Sequence, residues 1–192
     1  MAIHHITDLN KLYVALITKD ESPAPTFEKP VYLPGVKEIG IKIKTNTDMG
    51  YAEGIVWDTE STMEGADIDI NIVDLTDKEE AMLLGHKIAS EGGIIYGAND
   101  VSPEVAILFK AMKANGKARY ITLYRGKFED SDEDYKGKEG KTDFQSRKLT
   151  GSFSPLKSNG MFKYKVDEED KMDDTKFFAE VTIPTVKPPT KP

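Results

Sequence analysis

The clearest hydrophobic pattern of the chain is the stretch G-A-D-I-D-I-N-I, in which every second residue is an isoleucine. Asp67, Asp69 and Asn71 occupy the positions between the isoleucines. Alternation with a period of two is typical of a strand that has one face on a core. The stretch therefore predicts a half-buried strand over residues 65–74. Its outer face is unusually polar, because Asp and Asn are rare in strands.

Other stretches predict more strands. Residues 12–18, L-Y-V-A-L-I-T, form a compact apolar run that indicates a buried strand. A second half-buried strand is predicted where three isoleucines alternate with polar or small residues. The isoleucines are Ile39, Ile41 and Ile43, and the residues between and after them are Gly40, Lys42 and Lys44.

Two Asn-Gly pairs indicate turns. Asn115-Gly116 lies between V-A-I-L-F-K-A-M-K and A-R-Y-I-T-L-Y, so a hairpin is favoured there over a helix beginning at Pro103. Asn159-Gly160 predicts a second hairpin. The chain ends in I-P-T-V-K-P-P-T-K-P, which is typical of an extended tail.

One helix is predicted over residues 77–90. Thr76 is a favourable N-cap, and Glu79 completes a capping box with it. Ala81, Leu84, Gly85 and Ile88 follow at helical spacing, and Gly92-Gly93 is the predicted stop. Between the two half-buried strands, residues 46–64 are polar and punctuated by glycine, which predicts a long loop. Its apolar members suggest a contact surface: Tyr51, Ile55, Val56 and Trp57.

Composition narrows the functional classes. The chain has 192 residues, a net charge of −7 and no cysteine, so thiolate chemistry is excluded and a reducing cytoplasm is the expected site of synthesis. No apolar run approaches the ~20 residues that span a bilayer, and the first residues do not resemble a signal peptide. An acidic protein repels nucleic acid rather than gripping its backbone.

Candidate catalytic or metal-binding residues are few. His4-His5 is an isolated pair, and His86 has no partner at metal-ligand spacing, so a surface or packing role is favoured for His86. Asp130, Asp132 and Asp134 resemble the start of a calcium loop, but the sixth and twelfth positions hold Tyr and Lys instead of Gly and Glu. This loop and D-E-E-D at 167–170 are interpreted as solvated acidic segments. We expect a protein that is not an enzyme and has no cofactor or metal.

The order of these segments resembles the major tail proteins, or tail tube proteins, of long-tailed, non-contractile bacteriophages of Gram-positive hosts. The similarity covers roughly residues 10–155 and rests on order and spacing. The matching segments are V-A-L-I-T, V-Y-L-P-G-V, Y-A-E-G-I-V-W, G-A-D-I-D-I-N-I, T-D-K-E-E-A-M-L-L-G, E-G-G-I-I-Y, V-A-I-L-F-K-A-M-K-A-N-G-K-A-R-Y-I-T-L-Y and S-R-K-L-T-G-S-F.

The resemblance implies a mainly β fold of two packed antiparallel sheets, sandwich- or barrel-like, with one flanking helix. Residues 1–155 would form the tube domain, residues 156–183 a β extension packed on it, and residues 184–192 a flexible Pro-rich tail. Six copies would form a ring, and rings would stack into the phage tail around the tape-measure protein, between the tail terminator and distal tail proteins. DNA would pass through the lumen without specific binding. The protein would be assembled in the host cytoplasm and reside in the virion.

Two sets of residues carry hypotheses within this interpretation. The first set is assigned to the lumen and consists of Asp67, Asp69, Asn71, Lys42 and Lys44, with Gly40. Because lysines would attract DNA, either they pair with the aspartates or this face points elsewhere. The apolar residues of 46–64 are assigned to contacts between stacked rings, and simple core packing is an equally open role for Trp57. The alternative function is a carbohydrate- or cell-surface-binding β-sandwich, which would use exposed aromatic side chains. A small hydrolase is disfavoured by the absence of a catalytic motif.

Overall fold

A computed structural model describes residues 3–130 and 145–185, and it confirms the mainly β fold class with a flanking helix. Eleven strands are present in this part of the chain: β1 Ile6–Lys19, β2 Thr26–Phe27, β3 Val31–Leu33, β4 Val36–Ala52, β5 Ile55–Ile72, β6 Lys87–Ile88, β7 Ile94–Ile95, β8 Val105–Lys113, β9 Ala118–Glu129, β10 Arg147–Phe153 and β11 Lys163–Asp167. Helix α1 spans Asp77–Leu84, a 3₁₀ turn spans Glu168–Asp170, and a short helix α2 spans Asp174–Phe177.

Nine of the strands form one large antiparallel sheet that curls into a barrel-like shape. Its main path runs β2-β1-β8-β9-β10-β5-β4, with β3 added to β1 and β11 added to β9. Strand β3 pairs with β1, next to one end of this path, and after two residues the chain enters β4 at the other end. Strands β1 and β4 also contact each other. The two facing layers thus belong to one curled sheet, and the second sheet is the small β6–β7 ribbon.

The core lies inside the curl. Ile68, Ile70 and Ile72 are fully buried there, which confirms the half-buried strand. They pack with apolar residues of β1, β8, β9, β10 and α1 in a single cluster. A second cluster, with Tyr120 at its centre, lies under the C-terminal segment, where Phe177 is fully buried.

Helix α1 is shorter than the predicted 77–90. The capping box is confirmed: the Thr76 hydroxyl accepts from the Glu79 amide, and the Glu79 carboxylate accepts from the Thr76 amide at 2.7 Å. The helix ends at Gly85, a left-handed residue (φ +78°) whose amide donates to the Ala81 carbonyl. A Cβ on Gly85 would come within 2.2 Å of the Val101 carbonyl oxygen, so this close approach requires glycine. Ile88 therefore lies in β6, outside the helix.

The two Asn-Gly pairs have different outcomes. The first joins β8 to β9, which confirms that hairpin. The second hairpin prediction is wrong, because β11 pairs with β9 rather than with the residues before Asn159. Asn159-Gly160 closes only a local turn, in which the Leu156 amide donates to the Met161 carbonyl. β11 then occupies the edge of β9 that β10 leaves open, since β10 pairs only with residues 126–129 of β9.

The prediction of a long loop over residues 46–64 is also wrong, because these residues form the outer part of the β4–β5 hairpin. Paired residues continue from Thr45 opposite Met63 to Ala52 opposite Ile55. The turn is the two-residue pair Glu53-Gly54, both with positive φ (54° and 78°). A two-residue turn of this kind matches the twist of a hairpin. The mostly polar side chains of residues 46–64 gave no strand pattern, because neither face of this part of the hairpin packs on the described core.

Candidate functional site

The outer part of the β4–β5 hairpin, residues 45–64, projects from the body and is called the arm. β10 pairs with β5 only over residues 66–72, so the arm has no neighbouring strand in the described part of the chain. Its strands, eight residues in β4 and ten in β5, give it a length of about 30 Å. Gly65 marks its base, where a Cβ would come within 2.4 Å of the Phe153 carbonyl oxygen. All arm residues are exposed except Ala52, which is half-buried.

The apolar residues predicted to form a contact surface lie at the tip of the arm. Trp57 is 71% exposed and Tyr51 is 69% exposed, and Ile55 and Val56 lie between them around the turn. Exposed apolar residues also continue along the strands at Met49 and Met63. A lone two-stranded hairpin is only marginally stable in water. An arm of this length with an apolar tip is therefore suited to burial against a partner.

The residues assigned to the lumen lie together on the outer face of β4, β5 and β10. Lys42 Nζ is 3.1 Å from Asp69 Oδ2, and Lys44 Nζ is 2.6 Å from Asp67 Oδ1. Lys148 of β10 reaches the other oxygen of Asp69 at 2.9 Å. Hydrogen bonds from Lys148 and Lys42 lower the pKa of Asp69. The lysines thus pair with the aspartates, as one of the two expected arrangements requires.

This face is charge-balanced. Asn71 donates its side-chain amide to Glu38 at 3.0 Å, which adds a third carboxylate beside the three lysines. Exposed ion pairs of this kind add little stability, typically ~0–1 kcal/mol. Their main effect is to neutralise the surface. The lysines balance the row of aspartates seen in the sequence, so this face is polar without a strong net charge.

A buried polar cluster lies at the C-terminal end of α1. The side chain of His86 is 2% exposed, and its Nδ1 and Nε2 each lie 2.9 Å from a carboxylate oxygen, of Asp100 and Asp130 respectively. Its ring packs on Tyr96 with centroids 4.4 Å apart. Burial alone lowers the pKa of His86, but the two hydrogen bonds outweigh burial and raise it. Of the surface or packing role favoured from the sequence, the structure shows packing. It adds two ion-pairing partners, 14 and 44 residues away, that the sequence pattern did not indicate.

Glu80 continues this cluster. It is buried, and its carboxylate accepts hydrogen bonds from both terminal guanidinium nitrogens of Arg147. The Tyr96 hydroxyl donates a further hydrogen bond to it at 2.6 Å. Burial works to raise the pKa of Glu80, and the hydrogen bonds from Arg147 and Tyr96 lower it overall. Each carboxylate of the cluster is hydrogen-bonded to His86, Arg147 or Tyr96, so the cluster links α1 and β10 to the segments that contain Tyr96, Asp100 and Asp130.

The segment D-E-E-D at 167–170 is not simply a solvated loop. Asp167 accepts hydrogen bonds from Arg119 at 2.7 Å, and its other oxygen is 2.8 Å from Lys113 Nζ. Glu169 also binds Lys113, at 3.2 Å. Hydrogen bonds from Arg119 and Lys113 hold the pKa of Asp167 well below its usual value. These contacts attach the C-terminal segment to the β8–β9 hairpin, which a local charge pattern could not reveal.

The remaining candidates form no site within residues 3–130 and 145–185. His4 and His5 are exposed, and Asp132 and Asp134 lie outside the described residues. No group of three or more His, Asp or Glu side chains is placed to hold a metal ion in this part of the chain. Its helices are also too short and too polar to span a bilayer.

Comparison with known proteins adds no family assignment. No protein-family model matches this chain, and a search of curated proteins finds no match to it.

Proposed function

We propose that this chain is a structural virion protein without chemistry of its own, which assembles into the hollow tail tube of a long-tailed bacteriophage. Hexameric rings would stack around the tape-measure protein, and DNA would pass through the lumen during ejection. The observation that carries the proposal is the arm: a hairpin about 30 Å long with exposed aromatic and aliphatic side chains at its tip.

The arm exposes two features that are unfavourable in a monomer. Its strands have open edges, and open edges invite pairing with other chains. Its tip exposes Tyr51, Ile55, Val56 and Trp57, and aromatic side chains are the usual anchors of protein interfaces. An arm that buries this surface against the next subunit removes both liabilities. Repeated assembly is therefore the arrangement that fits the arm best.

The ion-paired face of β4, β5 and β10 supports the lumen assignment. A channel for DNA needs a polar surface without a cationic excess, because unpaired lysines would bind the phosphate backbone. On this face Lys42, Lys44 and Lys148 are each within 3.1 Å of an aspartate. In the proposed tube, the aspartates therefore act by neutralising the lysines rather than by repelling DNA directly.

Sedimentation of the purified chain tests the proposal. A control chain replaces residues 47–61 with Asn-Gly, which joins the cross-strand partners Asn46 and Thr62 through a two-residue turn. The wild-type chain should form large assemblies as its concentration rises, and the trimmed chain should remain a folded monomer. A wild-type chain that stays monomeric at every concentration contradicts the proposal.

Exposure of Trp57 and Tyr51 also fits the second candidate function, a carbohydrate- or cell-surface-binding module. Aromatic rings in open positions can stack on sugar rings. A glycan array separates the two functions, because a binding module should capture particular glycans as a monomer. The tube protein should capture none and should assemble instead.

A further inference from the structure

The arm has one strongly acidic face. Residues 45–64 contain five carboxylates and no Lys, Arg or His. Strand alternation places Asp58 and Glu60 on the same face, together with Asp48, which lies directly opposite Glu60. Like charges in directly opposed positions destabilise a hairpin. The isolated arm therefore keeps a repulsion that a partner's cations would relieve.

Strand β11 has the complementary pattern. Residues 155–166 contain three lysines and no Asp or Glu. Lys163 and Lys165 lie on one face of β11, both exposed, and neither forms an ion pair with another described residue. Although the Lys163 side chain is exposed, partial desolvation by neighbouring protein atoms, and secondarily the charge of Lys165, lowers its pKa. Within residues 3–130 and 145–185, these two ammonium groups thus have no carboxylate partner.

The spacing of the two charged pairs is the same. Asp58 and Glu60 are two residues apart on β5, and Lys163 and Lys165 are two residues apart on β11. Side chains at i and i+2 on a strand lie about 6.5–7 Å apart. Two aligned strands would therefore bring both carboxylates opposite both ammonium groups. Within the described residues β11 pairs only with β9, so its second edge has no strand partner there.

We propose that the acidic face of the arm binds the lysines of β11 in a second copy of the chain. Asp58 and Glu60 are the contacts on the arm, and Lys163 and Lys165 are the contacts on β11. This inference rests on the proposed assembly function and names the partner surface of the arm. Because the contact joins two different surfaces, each copy can give its arm to one neighbour and receive an arm from another, and such head-to-tail contacts close into a ring or extend as a filament.

Charge reversal tests the contact. The arm-reversed variant is Asp58→Lys/Glu60→Lys, and the edge-reversed variant is Lys163→Glu/Lys165→Glu. Each variant alone should reduce the assembled fraction at least tenfold in a pelleting assay at low salt. The fourfold variant, and an equal mixture of the two double variants, should regain assembly, because each then pairs opposite charges. Circular dichroism should show that all variants fold, since the four sites are exposed.

The matched control is Lys29→Glu/Lys78→Glu, which makes the same change in net charge at exposed lysines outside β11 and should assemble as the wild type does. Normal assembly of the edge-reversed variant would overturn the inference. It would show that the lysines of β11 only protect its open edge from pairing, a role that glutamates could also fill. Folded fourfold and mixed samples that stay unassembled also overturn it. In both cases an assembling wild-type chain leaves the proposed function intact, whereas a wild-type chain that never assembles overturns both.

Discussion

At the scale of single residues, His86 links three segments of the fold through ionic hydrogen bonds. Both ring nitrogens contact carboxylates, so the bonded form is the protonated imidazolium, which has two donors. The positive charge of neighbouring Lys87 helps to lower the pKa of Asp100, and the Tyr96 ring packs against the His86 ring. The charge of His86 also acts on buried Glu80, whose own partner is Arg147. Protonation of His86 therefore contributes to the stability of the whole cluster.

The first prediction concerns the pH dependence of stability. The pKa of His86 is raised in the folded state, so its stabilisation is complete below about pH 6.5, the unfolded value, and is lost as the pH rises through the folded pKa. His86→Gln should lower the free energy of unfolding by about 1–3 kcal/mol at pH 6 and by less at pH 9. Urea unfolding across this range measures the difference. His4→Gln/His5→Gln, at two exposed sites, is the control, and parallel profiles for wild type and His86→Gln would contradict the account.

The second prediction concerns acid stability at Asp174. Lys11, Lys110 and Tyr120 donate to its carboxylate at 2.7–2.8 Å. Burial works to raise its pKa, but these hydrogen bonds lower it to about 2. The stabilisation is therefore present above the unfolded value near 3.8 and is lost as the pH falls toward 2.

Asp174→Asn should cost about 1–2 kcal/mol at pH 7, after allowance for solvent screening, and the cost should shrink toward pH 2. Unfolding by urea at a series of pH values measures it. Asp170→Asn makes the same charge change at an exposed position of the same segment and should have a much smaller effect. A pH-independent difference for Asp174→Asn would show that the carboxylate acts through packing alone.

At the scale of elements, the arm is where the elements predicted from the sequence differ most from those in the structure. The inner half of β5 was predictable because Ile68, Ile70 and Ile72 fall at period two and face the core. The outer half is exposed and packs on none of the described core residues, so no hydrophobic period marks it. Its hairpin turn, Glu53-Gly54, is a weaker signal than the Asn115-Gly116 pair that correctly predicted β8 and β9.

Long-range partners explain the other differences. The end of α1 depends on the contact of Gly85 with Val101, 16 residues later, and helical spacing alone extended the helix too far. The strand pairing of β11 depends on where β10 leaves β9. The pairing of Lys42 and Lys44 with aspartates follows from the register of β4 and β5, and the sequence could offer it only as one of two arrangements.

The third prediction concerns the tip of the arm. Tyr51→Ser/Trp57→Ser should leave the free energy of unfolding of the monomer within about 0.5 kcal/mol, because both side chains are exposed. The concentration needed for assembly should rise by roughly tenfold or more, because aromatic anchors carry much of an interface's energy. Sedimentation velocity measures both species. Ile88→Ser/Ile95→Ser, which removes exposed apolar side chains away from the arm, is the control, and equal effects of the two variants would contradict a specific role for the tip.

At the scale of the whole molecule, a curled antiparallel sheet carries the arm on one side and an ion-paired polar face beside the base of that arm. The fourth prediction follows from that face. Asp67→Asn/Asp69→Asn removes the carboxylates that pair with Lys42 and Lys44 and makes the surface more cationic. Assembly should persist, and the assemblies should bind double-stranded DNA in a salt-dependent way that the wild type does not show. Fluorescence anisotropy of labelled DNA measures it, and no gain in binding would contradict the lumen assignment.

The most direct test of the central claim is negative-stain electron microscopy of the purified wild-type chain at high concentration. The account predicts hollow tubes, or short stacks of rings with sixfold symmetry in end view. Monodisperse single copies of the chain at every concentration and salt condition would contradict it.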